Sequence, residues 1–359
     1  MGALVLGGAL PGVGAEDSER WLVSPRLLKS AGLEILWENE LPIKKGESLK
    51  KLFILGERIY ALSDRNYMIS LDRQKGNIIF SRTIAPAGVP IGGLELYEDE
   101  LIFVTGNTLT EMNAKSGEEV GTKRIEYGIE CPVARNRSYF YLGGSDGRLH
   151  ILREKDRVQT FEAAASNDSM ITSITADEDF VVFATDAGNV ISMVPGEPRR
   201  LWQFDAGAAI AGPIVRDGMS LFFASRDTNV YRVDVIGPMT RRLVWKYQMP
   251  GVLDRAPSVT EEVVYQYVRG KGLTAINKES GKLIWSLPQG LELLAEADGK
   301  AYVITKDRTL VVMDNVKAGK LYTVNFALVS RYVGNAADPR IYISDENGRV
   351  ACLRPKDSE

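Results

Sequence analysis

Histidine is almost missing from this sequence: His150 is the only one among 359 residues. A triad or metal site that needs several imidazoles is therefore excluded. His150 itself sits between Leu149 and Ile151 in a strand-like run, which favours a structural role over general-base chemistry. Cysteine is nearly as scarce. Cys131 and Cys352 stand 221 positions apart among strand-like neighbours, a spacing that supplies no metal-ligand pattern. Two buried free thiols are expected rather than a disulfide, and the pair reveals no redox compartment.

Charge of one sign is also absent. There are 44 basic and 47 acidic residues, for a formal charge of −3. Lys44-Lys45, Lys50-Lys51, Arg199-Arg200 and Arg241-Arg242 are isolated doublets that read as solvated loop charges. A nucleic-acid groove needs a larger cationic footprint. No apolar run reaches the roughly twenty residues of a spanning helix. Gly92-Gly93 and Gly143-Gly144 lack the spacing and the following helix of a phosphate loop. Nothing resembles an EF-hand loop. No catalytic, cofactor-binding or metal-binding residue is assigned, and no cofactor is expected.

The first fifteen residues carry no charge, and acidic sequence begins at Glu16. They are expected to be a truncated secretory signal, with Val13 and Ala15 as the small residues before the cut. The basic region that opens such signals is missing, and no cysteine follows to carry a lipid. Export to the periplasm is the resulting expectation. Residues 16–32 then form an N-terminal extension, 33–355 a single domain, and 356–359 a C-terminal tail.

What the chain does have is a beat. Eight pairs of apolar residues three positions apart recur: Met68 and Leu71, Leu109 and Met112, Leu149 and Leu152, Val190 and Met193, Val230 and Val233, Leu273 and Ile276, Leu310 and Met313, Val350 and Leu353. Successive spacings are 41, 40, 41, 40, 43, 37 and 40, which is the period of a repeat array. Turn residues precede the pairs, as in Ser145-Asp146-Gly147 and Asp186-Ala187-Gly188-Asn189. Gly and Asn tolerate left-handed backbone angles and Asp bonds its own turn, so these segments predict hairpins. β-branched and aromatic runs lie upstream, such as 180–185. Proline-marked segments, Cys131-Pro132-Val133, Gly212-Pro213-Ile214 and Ala256-Pro257-Ser258, open several repeats, where a ladder position is not needed.

A further strand carries an aromatic ring. Nine residues past the second anchor stand Phe80, Phe161, Trp202, Trp285 and Tyr322, while the second repeat has Gly121 there. The fifth repeat needs twelve residues to reach Trp245, and the insertion Gly237-Pro238-Met239 also accounts for the spacing of 43. Recurrent rings of this kind are expected to pack between blades. The last repeat lacks its ring-bearing strand, and residues 33–38, with Trp37, form an unmatched one that can complete it. The expectation is an all-β, eight-bladed β-propeller of four-stranded antiparallel blades, closed by an N-terminal strand.

Ala275-Ile276-Asn277-Lys278-Glu279-Ser280-Gly281-Lys282-Leu283-Ile284-Trp285 resembles the repeat of pyrroloquinoline-quinone-like propellers, with Asn277 and Ser280 where that pattern has Asp and Thr. Residues 70–80 and 111–117 resemble it more weakly. One branch of that family, the quinoprotein dehydrogenases, implies calcium, quinone and an acidic base in the central funnel, usually in a much longer chain and often beside adjacent cysteines. Asp186, Asp227 and Asp345 occupy comparable turn positions here, where stabilising the turn is the simpler role. The other branch is similar to the propeller subunit of the bacterial outer-membrane β-barrel assembly machinery, and implies a compact extracytoplasmic scaffold that binds partners without catalysis. The leading expectation is such a scaffold, with a protein or peptide partner and association with an outer-membrane complex. A quinone-dependent dehydrogenase and a peptide- or sugar-binding propeller are the alternatives. Trp21, Arg255, Arg269, Lys271, Arg331 and Arg340 are the candidate interaction surface.

Overall fold

Each of the eight anchor pairs lies on the third strand of a four-stranded antiparallel sheet, and all sixteen side chains are buried. The computed structural model describes residues 21–165 and 167–356. The expected signal at 1–15, the start of the extension and the end of the tail lie outside the described residues. Blades 1 to 7 are residues 49–83, 91–124, 134–164, 171–205, 215–248, 258–287 and 290–325, each a meander of four consecutive strands. Blade 8 takes three strands from residues 331–355 and its outermost from Leu33–Glu40. Leu33 pairs opposite Pro355 and Glu40 opposite Arg349, with a bulge between Ile35 and Trp37. The ring is thus closed by hydrogen bonds between the two ends of the described chain, and no blade is left with an open flank.

First strands meet one another around the axis: those of blades 8 and 1, 1 and 2, 3 and 4, and 5 and 6 are in contact. Fourth strands form the outer rim. Second strands such as Val181–Thr185 are buried along their whole length because neighbouring blades cover both faces, which is why they read as unbroken apolar runs. The proline-marked segments shorten the inner strands they precede. Ala134–Arg135, Val215–Asp217 and Ser258–Val259 span only two or three residues, because proline has no N–H to donate to the ladder.

Among the described residues the extension adds one short helix, Pro25–Ser30, with proline at its first turn where no N–H partner is needed. Its Leu28, with Leu22 and Val23, is buried against Tyr302, Val324, Phe326 and Leu353, at the seam between blades 7 and 8.

Cys131 and Cys352 are free and buried. Burial pushes each thiol up to about 12, so the thiolate that reacts is scarce at neutral pH. A maleimide reagent should label neither cysteine in the native protein and both after denaturation, read by intact mass.

Ring packing follows one rule. A ring on the outer strand of one blade lies on the turn between the third and fourth strands of the next. Trp245 of blade 5 donates from Nε1 to the Lys278 carbonyl at 2.9 Å. A Cβ added to Gly281 in that turn would fall 2.6 Å from Trp245 Cγ. Gly281 also holds φ +67°, a second reason for glycine there. Trp37 of blade 8 repeats the arrangement on blade 1, donating to the Arg73 carbonyl at 3.3 Å. Trp285 of blade 6 donates to Asn315 Oδ1 of blade 7 at 2.7 Å. In all three the acceptor residue stands two positions past the second anchor of the receiving blade. Phe80 lies on Gly117 of blade 2, and Phe161 packs half-buried in the core shared by blades 3 and 4.

Between blades 3 and 4 the turn glycine Gly196 lies against Tyr139 of the second strand in place of Phe161. Three further seams depart from the rule, each for a visible reason. Tyr322 of blade 7 is 48% exposed, because blade 8 has no turn between its last two strands and the Pro25–Ser30 helix stands nearby instead. Gly121 leaves the blade 2 site without a ring. Across that seam the turn glycine is replaced by Arg157, at φ +58°, whose guanidinium forks onto buried Glu111 at 2.8 and 2.6 Å. The third departure, at Trp202, opens a cleft.

Candidate functional site

Two concave regions gather side chains that packing alone does not require. The first is the central funnel. Its wall carries Lys51, Glu95, Glu292 and Tyr332, on the inner strands of blades 1, 2, 7 and 8. Burial raises the Glu292 carboxyl, and the Arg255 guanidinium, a Gly334 N–H and Lys51 each oppose that rise. Groups from blade 1, blade 8 and the segment that leads into blade 6 therefore converge on this blade 7 carboxylate.

Glu95 borders a second part of the funnel, a cavity of about 430 Å³ also lined by Tyr97, Arg135, Thr175 and Ile214. The Glu95 side chain is open to the water of the funnel, and the walls around it push its carboxyl from 4.5 up to about 7. A raised carboxyl holds its proton longer in the folded state. The contribution of Glu95 to stability is then fully present below its ordinary range and is lost as pH rises towards 7. Glu95→Gln should flatten that fall, measured as the difference in thermal midpoint between about pH 5 and about pH 8.

The second region is a cleft on the outer rim between blades 4 and 5. It arises from the three-residue insertion. Strands Asn229–Gly237 and Thr240–Gln248 run nine residues each, so the third and fourth strands of blade 5 continue as a hairpin where other blades turn. The residue equivalent to Lys278 is Val235, which stays in the ladder opposite Arg241. No turn carbonyl meets the blade 4 ring, and Trp202 Nε1 is buried without a hydrogen-bond partner, as is Ser192 Oγ beside it. The cleft holds about 210 Å³ and is lined by Phe180, Leu201, Trp202, Leu221, Val235 and Pro238. Met219, Ile236 and Met239 stand exposed around this hairpin, at 56%, 56% and 65%.

Of the six residues expected to form an interaction surface, Arg255, Arg269 and Lys271 lie close together beside Asp254 and Tyr267, and the other three lie elsewhere. Arg255 stacks over Tyr267 at 4.4 Å and faces Glu292 in the funnel. Arg269 is exposed and paired with Asp254 at 2.6 Å, and Lys271 lies in the same turn. Arg331 is structural: it donates to the Leu49 carbonyl at 3.0 Å across the closing seam. Arg340 pairs with Asp338 at 3.6 Å on a different loop. Trp21 is half-buried beside the extension helix. Two of the turn carboxylates hold their turns, Asp227 accepting from the Asn229 N–H and Asp345 from the Asn347 and Arg349 N–H groups, while beside Asp186 the Thr185 hydroxyl accepts from the Asn189 N–H. His150 stacks on Tyr127 with centroids 3.7 Å apart and contacts Asp146 at 3.0 Å. Among the described residues, no three His, Cys, Asp or Glu side chains converge as a metal site.

Sequence reading overlooked the cleft and the Glu111–Arg157 pair. The signal for the first was the insertion at 237–239. For the second it was the coincidence of a missing ring with a missing turn glycine one repeat later.

The sequence pattern of a family described as outer membrane protein assembly factor BamB matches residues 186–328 and 226–359. No curated protein sequence matches. Among solved structures, BamB from Moraxella catarrhalis superposes with a TM-score of 0.67 at 14% identity, over 90% of this chain and 99% of that one. The computationally designed Ika8 protein gives 0.65 at 13% identity over 88% and 98%. The β-propeller domain of Myceliophteria thermophila Cps50 (Swd1) gives 0.58 at 12% over 89% and 99%. A designed protein and a fungal domain fit about as well as the bacterial one, so these superpositions establish the fold alone.

Proposed function

We propose, on the premise that this chain is a propeller of the pyrroloquinoline-quinone-like repeat family, that it is a non-catalytic interaction scaffold of the cell envelope, engaged in outer-membrane protein assembly. The observation that carries the reading is the rim cleft, where an apolar hollow occurs with three exposed apolar side chains, Ile236 and Met239 on the long hairpin and Met219 in a neighbouring turn of the same blade. Water-exposed apolar surface of this kind is what a partner covers. The family description matched by residues 186–359 supports the envelope assignment.

Affinity capture of the full-length protein from cross-linked envelope fractions, with fractionation of the native protein, tests it. A defined partner recovered from the periplasmic or outer-membrane fraction is the expected result. Recovery of the protein only from the cytoplasm would overturn the location. Saturable, calcium-dependent quinone binding that supports dye reduction with an alcohol would overturn the non-catalytic role.

A further inference from the structure

We infer that the cleft between blades 4 and 5 is a docking site for an extended peptide that inserts one large apolar side chain and carries acidic residues beside it. The inference rests on the scaffold reading and gives the chemistry of the partner. A hollow of about 210 Å³ is smaller than the ~300–1,000 Å³ of ordinary small-molecule pockets. It suits a single anchoring side chain, the usual centre of a protein interface. Its lining is mainly aliphatic and aromatic, with Asp179, Ser192 and Arg216 as its polar members and Met219 among the rest, and Met239 stands exposed next to the lining residue Pro238; the unbranched thioethers of both adapt to a varied surface.

Charge points to the acidic neighbours. The doublets Arg199-Arg200 and Arg241-Arg242 are distant in sequence, yet the fold sets Arg200 and both members of the second pair on outer strands that touch one another. All four side chains are exposed. Arg199 pairs with Glu197 at 3.2 Å and Arg242 with Asp234 at 3.5 Å, and Arg241 has no ion pair among the described residues. Asp179, on the blade 4 side of the lining, is the one carboxylate lining the cleft, which places the acidic part of the peptide on the arginine side. The outer strand Arg200–Asp205 runs directly into the lining residues Leu201 and Trp202, so a peptide along the rim reaches hollow and arginines at once.

The probe is a fluorescein-labelled heptapeptide with one phenylalanine between two pairs of aspartates, titrated into the full-length protein by anisotropy. One control replaces the phenylalanine with alanine, another replaces the aspartates with lysines. Each control should bind at least about tenfold more weakly, roughly 1.4 kcal/mol. Met239→Asp and the double variant Arg241→Glu, Arg242→Glu alter only exposed positions and should each weaken the parent peptide by a similar factor. Absence of saturable binding by the parent peptide, equal binding of the alanine control, or indifference to both variants would overturn the inference. So would binding to phosphatidylglycerol vesicles, lost in the same variants, without peptide binding. An envelope partner still captured by these variants would keep the scaffold reading and remove the cleft from it.

Discussion

Glu111→Ala is expected to destabilise the ring by about 3–5 kcal/mol, the usual cost of removing one side of a buried ion pair. Glu111 is 1% exposed and takes both prongs of the Arg157 guanidinium, while Arg135, 8% exposed, approaches within 3.7 Å. Loss of the carboxylate leaves Arg157 without its forked partner and Arg135 with only Glu100 and Glu154. The remedy should be apolar. Combining Glu111→Ser, Gly121→Phe and Arg157→Gly would rebuild the ring-on-turn packing of blades 1 and 2, where Phe80, paired opposite Ser70, lies on Gly117. Urea unfolding should show the triple variant more stable than Glu111→Ala alone. If it is less stable, the ion pair is not a substitute for the missing ring.

Trp245→Ala should cost a comparable ~3–5 kcal/mol. The indole is buried, tilted against Phe222 at 6.1 Å, seated on Gly281 and bonded to Lys278. Tyr322→Ala, at the corresponding place two blades on, should change stability by no more than about 0.5 kcal/mol, as exposed substitutions generally do. The pair of measurements separates the position in the repeat from the neighbour that the position meets. Equal losses at both would refute the dependence on the receiving turn.

That contrast shows how far the fold could be read in advance. Spacing of the anchors revealed eight blades, because every blade must present equivalent surfaces to its neighbours. The unmatched strand with Trp37 revealed the closure. Ring burial was less legible, since it depends on residues forty positions away. Tyr322 looks like Trp285 in sequence but lacks a turn to rest on. Individual arginines chosen as contacts scattered to the funnel, the closing seam and separate loops, because solvent-facing positions carry little periodic constraint. The two arginine doublets read as ordinary surface charge, and only the fold sets them on touching strands.

The pairing of Leu33–Glu40 with Arg349–Pro355 also sets a timetable for biogenesis. During synthesis the earlier strand emerges hundreds of residues before its partner, and must stay unpaired while seven blades assemble. Completion of the eighth must therefore await the emergence of residues 349–355. A chain stalled or clipped before residue 349 would present a bare sheet edge at either side of the gap, a natural template for self-association and a target for quality-control proteases.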